Sequence, residues 1–253
     1  MLVSWYTILV YSLGIHYGVT NGVELMDVAS QTVNLYQRVR ADILSLELMP
    51  GERVTERGLE SIFGASRTPA RAALMRLETE GLVQRDGRGW MVSPIDISEI
   101  GALAELREAV ETAAIRLTVS RASDGDIESL AELLESDHPA LDEEESVRAG
   151  GDFHVELAQL SGNKFLIEAV RNAMTRLART RWLEVRTPEA REKAWQEHWH
   201  ILEMARLRNA DAAATLCAEH IRGTNERLLD FLASERRRLR GNGLSIINKI
   251  ETI

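Results

Sequence analysis

Three histidines in this chain stand where they could do metal chemistry. His154 follows Gly150-Gly151-Asp152-Phe153, His198 lies in Glu197-His198-Trp199-His200-Ile201-Leu202, and His220 lies in Ala218-Glu219-His220-Ile221. Each falls on a different predicted helix, near an apolar stripe. Three imidazoles meeting in a helical bundle would suit Zn²⁺ or a similar divalent ion, with one coordination position left open. Spacing alone leaves a plainer reading standing, because histidines far apart in sequence usually do not meet. The open position also admits an enzyme reading, a hydrolase-like site in which the metal activates water. Against it, no general base is evident beside the histidines, and the DNA-reading segment described next would be idle.

A second set of residues points to nucleic acid. Arg67, Thr68 and Arg71 cover roughly one 100° sector of a predicted helix, beside the apolar stripe of Ala70, Leu74 and Leu77. All three lie at the helix start, where backbone N–H groups also point outward. A guanidinium can pair bidentately with guanine and the free amides can take a phosphate, so such a helix start suits a DNA major groove. Arg57, on the preceding short helix, is placed to touch the DNA backbone. Arg88-Gly89 falls at a hairpin tip that can reach a minor groove.

The elements that must hold these residues can be read from periodicity and punctuation. Leu35, Val39, Ile43 and Leu46 predict a first helix over about 31–47, ended by Pro50-Gly51. Thr55 precedes a short helix stopped by Gly64. Ser66 or Thr68 caps the next helix, whose first turn tolerates Pro69 and which Gly81 closes. Leu82 to Arg85 and Gly89 to Val92 read as two strands around Asp86-Gly87. Helix, turn, helix and hairpin make a winged helix-turn-helix over 31–93. Ser93-Pro94 marks the junction. Beyond it the pattern is helical only, over about 97–121, 124–136, 139–160, 163–185, 188–208 and 210–238. Leu103, Leu106, Val110, Ala113, Ala114 and Leu117 form the apolar stripe of the first of these. Asn163 after Gly162 and Pro188 after Thr187 mark helix starts. The fold class is therefore mainly α: an N-terminal winged helix-turn-helix and a C-terminal antiparallel all-α bundle over 97–236. The tail, 237–253, has no readable role from Gly241 onward.

Charge fits this division. Residues 31–93 carry 9 Lys and Arg against 8 Asp and Glu, whereas residues 94–253 carry 21 against 29. With a net charge of -9, the protein is no indiscriminate coat for nucleic acid and must bind DNA through a local basic patch. Cys217 is the one cysteine, which excludes an intrachain disulfide and points to a reducing cytoplasm. Residues 1–30 are a hydrophobic extension of doubtful role. Leu2 to Val19 contains no Asp, Glu, Lys or Arg, which allows a membrane-tethered regulator. The reading preferred here is a dispensable extension, with a working chain that starts near Met26.

At this point the chain resembles a known family. Pro50-Gly51-Glu52-Arg53, Glu56-Arg57, Ser66-Arg67-Thr68-Pro69-Ala70-Arg71, Leu77-Glu78, Glu80-Gly81-Leu82-Val83 and Gly89 are similar to the N-terminal domain of the GntR family of bacterial transcriptional regulators. That resemblance implies DNA contacts from Arg57, Arg67, Thr68, Arg71 and Gly89. Gly58 departs from the longer residue usual there. Asp152-Phe153-His154, Leu160-Ser161-Gly162-Asn163, Glu197-His198, Asp211, Ala214 and His220 resemble the FadR-type ligand-binding domain called FCD, in the VanR-like subgroup. It implies a divalent metal (Zn, Ni or Mn) on His154, His198 and His220, and a small carboxylic acid effector. The family's metal-binding carboxylate has no counterpart, since Gly150 holds its position and Asp152, two residues from His154, faces elsewhere. Arg107 matches the family's effector-carboxylate arginine; its alternative role is a surface pair with Glu111. His200 reads as a surface or pocket-rim residue, and Trp195 and Trp199 as core or pocket lining. Together these imply a homodimeric DNA-binding regulator, a repressor, that reads a near-palindromic double-stranded operator in the cytoplasm, with 97–236 as its effector-binding and dimerisation domain.

Overall fold

The computed structural model describes residues 20–64, 66–136, 143–181, 183, 187–241 and 243–248. The apolar segment Leu2 to Val19 lies outside them. No helix among the described residues is long and apolar enough to cross a membrane.

The head begins with α1 (Thr20–Leu44), followed by β1 (Arg53–Val54), α2 (Glu56–Phe63), α3 (Arg67–Thr79), β2 (Val83–Asp86) and β3 (Gly89–Val92). Helix α1 starts well before residue 31, so the boundary read at residue 30 falls inside a helix. It also ends earlier than expected: Leu46 turns out of it with φ 63°. Thr55 caps α2 by accepting from Gly58 N, and Gly64 ends it. Ser66 holds the cap position of α3, but its hydroxyl takes no bond from the first turn. Thr68 is inside the helix, so it is not the cap. Strands β2 and β3 form the expected hairpin, with Val83 opposite Val92 and Asp86 opposite Gly89. Strand β1, which was not expected, extends the sheet beside β3. Leu35, Val39, Ile43, Leu59, Leu74 and Leu77 pack with Trp90 into the core of the head.

Beyond the head, β4 (Ile95–Asp96) leads into six helices: α4 (Ile97–Arg121), α5 (Asp124–Ser136), α6 (Glu143–Gln159), α7 (Lys164–Arg181), α8 (Pro188–Arg206) and α9 (Ala210–Gly241). Their starts follow local chemistry. Asp96 accepts from Ser98 N, Asn163 Oδ1 accepts from Phe165 N at 3.1 Å, and Thr187 accepts from Ala190 N ahead of Pro188. Helix α4 packs along α9 and also meets α6, α7 and α8, so it is the central pillar of the bundle.

Two expectations fail in this half. The buried face of α4 is only in part the stripe proposed from its apolar residues: Ala114 is buried and Leu103 and Val110 pack against the cores, but the face is shared with charges. Leu106 is 43% exposed, while Arg107 and Glu111 are 5% and 3% exposed. Two charges replace apolar residues on the inner face because they pair with each other, which is what makes their burial tolerable.

The tail is not without a role either, and the C-terminal half is not wholly helical. Strand β5 (Ile246–Ile247) pairs in parallel with β4, Ile95 opposite Ile246 and Asp96 opposite Ile247. Ile95 N donates to Ser245 O at 2.9 Å, and Ser245 N donates to Pro50 O at 3.0 Å. The tail thus forms a strap between the turn after α1, the linker strand and the end of α9. Leu244 and Ile246 are buried with Ile95, Ile100, Leu228 and Leu232. Gly51 makes the approach possible: at φ 90° it carries no Cβ, and one placed there would lie 2.5 Å from Ser245 Cβ. Further ties between head and bundle run through α7. Arg179, itself buried, donates to Ser93 O, and Arg40 Nη2 donates to Thr175 Oγ1 at 3.3 Å.

Candidate effector and metal site, and the DNA-reading face

Helices α6, α8 and α9 each deliver one histidine to the middle of the bundle. His154, His198 and His220 are all buried, and one ligand-capable nitrogen from each lies within 4.8 Å of the others. His198 Nε2 and His220 Nε2 are 3.3 Å apart. Phe153 stacks on the His198 ring at 4.4 Å between centroids and closes one side. The structure therefore brings together the three histidines that the sequence placed on separate helices.

A carboxylate stands beside two of the three rings. Glu197 Oε2 is 2.7 Å from His220 Nδ1, which turns Nε2 inward. Glu111 Oε2 is 2.8 Å from His154 Nδ1, close enough for charge attraction but off the hydrogen-bonding direction. Arg107 completes this corner. Its Nε donates to Glu111 Oε1 at 2.6 Å, and its Nη2 lies 3.2 Å from His154 Nε2. The pair with Glu111 is thus real but buried, a correction to its reading as a surface pair.

Burial dominates the electrostatics. It pushes His154 down to about 3, with Arg107 adding to the effect and Glu111 opposing it. Burial also drives His198 well below its ordinary value, helped by His220, His154 and Arg181, and lowers His220 against the pull of Glu197. Burial alone would raise Glu111, but Arg107 and His154 outweigh it and hold the carboxylate well below the usual range. At neutral pH the cluster is therefore three neutral imidazoles, the state that ligates a metal. Their nitrogens fit Zn²⁺, Ni²⁺ or Mn²⁺ as a three-ligand set.

The surroundings sort the remaining candidates. Gly150 holds the α6 position one turn before His154 and offers no side-chain ligand. Asp152 and His200 are exposed, away from the cluster. Trp195 and Trp199 are half-buried against the bundle core, and Trp195 Nε1 donates to Leu134 O at 2.9 Å. Cys217, one turn before His220, is completely buried, and burial pushes its thiol far up.

On the head, Arg57, Arg67, Thr68, Arg71 and Arg88 are all exposed, and Gly89 is half-exposed at the start of β3. The uncapped start of α3 leaves its first amides available to a phosphate. One participant was missed. Glu56 Oε2 is 2.9 Å from Arg67 Nε, and its other oxygen is 4.0 Å from Arg71 Nε, so a single carboxylate holds both arginines on one side of α3. Its place directly after the Thr55 cap was legible, but its reach to a residue eleven positions on was not. The other head arginines have structural partners: Arg53 pairs with Asp86 at 2.8 Å, and Arg85 lies 3.5 Å above the Trp90 ring.

Residues 31–92 match the bacterial regulatory proteins of the gntR family, and residues 102–223 match the FCD domain. The chain is 32% identical over 192 residues to the Nta operon transcriptional regulator of Aminobacter aminovorans, covering 75% of this chain and 90% of that protein. The chain belongs to the GntR family. Its residues 102–223 are the FCD effector-binding domain, and the protein is a transcriptional regulator rather than an enzyme. The transcriptional repressor RspR of Escherichia coli K12 is 24% identical over 203 residues, covering 78% of this chain and 89% of that one. A GntR protein of Rhodococcus sp. RHA1 shares the fold with a TM-score of 0.68 at 20% identity, over 79% of this chain and 98% of the other. For this GntR regulator, winged head and helical effector domain are the expected pairing of DNA reader and sensor.

Proposed function

We propose that this GntR regulator is a cytoplasmic homodimer that represses transcription from a near-palindromic operator and is released by a small carboxylic acid. Two-fold symmetry places one head on each half-site. Arg67, Thr68 and Arg71 read the major groove, Arg57 touches the backbone, and Arg88 and Gly89 of the wing approach the minor groove. His154, His198 and His220 hold a divalent metal, Zn²⁺, Ni²⁺ or Mn²⁺, that serves as a Lewis-acidic seat for the effector's carboxylate. Arg107 provides the positive charge beside it. The effector acts by favouring one arrangement of heads over another, which requires unequal affinity for the two.

The observation that carries the reading is the meeting of three buried histidines within 4.8 Å in the domain attached to a DNA-reading head. Glu197 and Glu111 beside two of the rings supply the outer carboxylates typical of metal-bound imidazole. The repressor role rests on analogy with the repressor RspR, and the dimer on the two half-sites of a near-palindromic operator. The test has two arms. Metal analysis of purified protein should give about one divalent ion per chain, and none in His220→Ala. Anisotropy titrations with DNA from upstream of the gene should show two chains per operator, and affinity should fall when a carboxylic acid is added to metal-loaded protein. A metal-free wild type that still responds to acids would overturn the metal; a single chain per site would overturn the dimer.

A further inference from the structure

The C-terminal strap grips the head at a stiff point. Pro50 O, which accepts from Ser245 N, belongs to a turn closed by Glu52 N donating to Met49 O at 2.9 Å. That turn is bonded to the wing strand β3: Gly51 N donates to Val92 O at 2.9 Å, and Val92 N donates to Glu52 O at 2.8 Å. Met49 also packs on the apolar cluster that holds Leu244 and Ile246. At its other end the strap has little slack. Gly243 N donates to Arg240 O and Leu244 N donates to Leu239 O, both at 3.1 Å, so the chain folds straight back from the last turn of α9. One path therefore runs from His220, along roughly 30 Å of a single helix, into the wing. The other ties are weaker handles. Arg179 grips Ser93, which lies in the linker itself, so it fixes the hinge and not the head's angle about it. Arg40 on Thr175 and Arg176 against Gly81 are long, half-buried side chains that can follow a moving partner.

We infer that residues 243–248 are a releasable pin: docked, they make the DNA-reading head follow the end of α9, and undocked, they leave the head to turn on the linker alone. Release is accessible because the hold is small, two residues of ladder and two buried side chains. A pinned head can be placed only where the end of α9 puts it, and a free one hinges about the linker. In the dimer proposed above, on which this consequence rests, two pinned heads become a gauge for the distance between half-sites. Undocking turns the gauge into a pair of loosely tethered readers.

The experiment breaks the pin from each side. Ser245→Pro removes the N–H that Pro50 O accepts and keeps the carbonyl that Ile95 N uses. Gly51→Ala puts a Cβ 2.5 Å from Ser245 Cβ. Gly64→Ala is the control for backbone strain, with a φ of 65° and nothing within 4 Å of the added carbon. Thr175→Val is the control for the tie to α7. Spin labels on Ile62→Cys and Leu207→Cys, exposed sites on head and bundle, report the distance between them in full-length chain diluted with unlabelled protein. Wild type and both controls should show one narrow distribution, and both pin variants a broad one. A broad wild type, narrow distributions in the pin variants, or equal broadening by Thr175→Val would overturn the pin. The second readout is binding to DNA from upstream of the gene with two base pairs inserted between the half-sites. Wild type should lose at least about tenfold in affinity and Ser245→Pro less than about threefold; equal losses would overturn the gauge. One chain per DNA in wild type would instead overturn the dimer reading, with the distance measurement still deciding the pin.

Discussion

Consider Ile246→Ala in the C-terminal strap. Ile246 is completely buried, and Leu244 nearly so. Burying two such side chains contributes about 3–6 kcal/mol. The two bonds that Ser245 makes, to Ile95 and to Pro50, add about 1–3 kcal/mol. Fixing the six residues 243–248 opposes this with about 6 kcal/mol or more. The strap is thus docked by a narrow margin, unlike a core helix, whose neighbours hold it from several sides. A buried isoleucine cut to alanine within a rigid core costs about 2–5 kcal/mol because a cavity remains. In the strap the loss is capped at the docking margin, since the segment can detach instead. Ile246→Ala should therefore lower the global unfolding free energy by less than about 2 kcal/mol, whereas Ile201→Ala, also completely buried but inside the effector domain, should show the full cost. Native-state hydrogen exchange supplies the second readout: the Ile95 and Ser245 amides should lose protection in Ile246→Ala while the head and bundle amides keep theirs. Equal costs for the two variants, with Ile95 still protected, would refute the idea of a separately docked strap.

Other expectations concern the two sites. Arg67→Ala or Arg71→Ala should weaken operator binding by about 1–3 kcal/mol and relax base preference, measured by anisotropy on a set of single-base operator changes; unaltered affinity would remove α3 from the groove. Stripping the metal should lower the melting temperature of wild type and leave His220→Ala unchanged, because an ion bound only by the folded state stabilises it. Acid should destabilise the metal-free protein. His154 titrates near 3 when folded and near 6.5 when free, so the unfolded chain binds more protons between those values. Stability is then full above about pH 6.5 and falls toward pH 3, with a slope of up to about 1.4 kcal/mol per pH unit from this group. Glu111, lowered in the folded state, acts in the same direction below the free carboxylate range. Urea unfolding at pH 7 and at about pH 5.5 should reveal the loss, and equal midpoints would contradict the neutral, buried imidazole.

Where local chemistry decides the structure, the sequence was sufficient. Thr187-Pro188 starts α8, Asn163 caps α7 and Asp86-Gly87 turns the hairpin, as their types require. Leu106 misled because apolar periodicity ranks residues by type, whereas the inner face of α4 was taken by Arg107 and Glu111 as a mutually compensated pair. The strap was invisible for a different reason. Ile246–Ile247 is too short to show a period, and its partner Ile95–Asp96 lies some 150 positions away. The histidines are an intermediate case: their types and helices were legible, but their meeting depends on how α6, α8 and α9 pack, which no spacing along one chain encodes.

The lone thiol gives the protein an internal clock. Cys217 lies one helical turn from His220, completely shielded, and its thiol resists ionisation. A thiol reagent can reach it only when the bundle opens around α9, so the rate of modification counts openings of the sensing domain. Anything that clamps α6, α8 and α9 together through their histidines must slow that clock. The unaltered chain thereby carries a reporter for its own ligands, readable without operator DNA, without an engineered label and before any effector has been named.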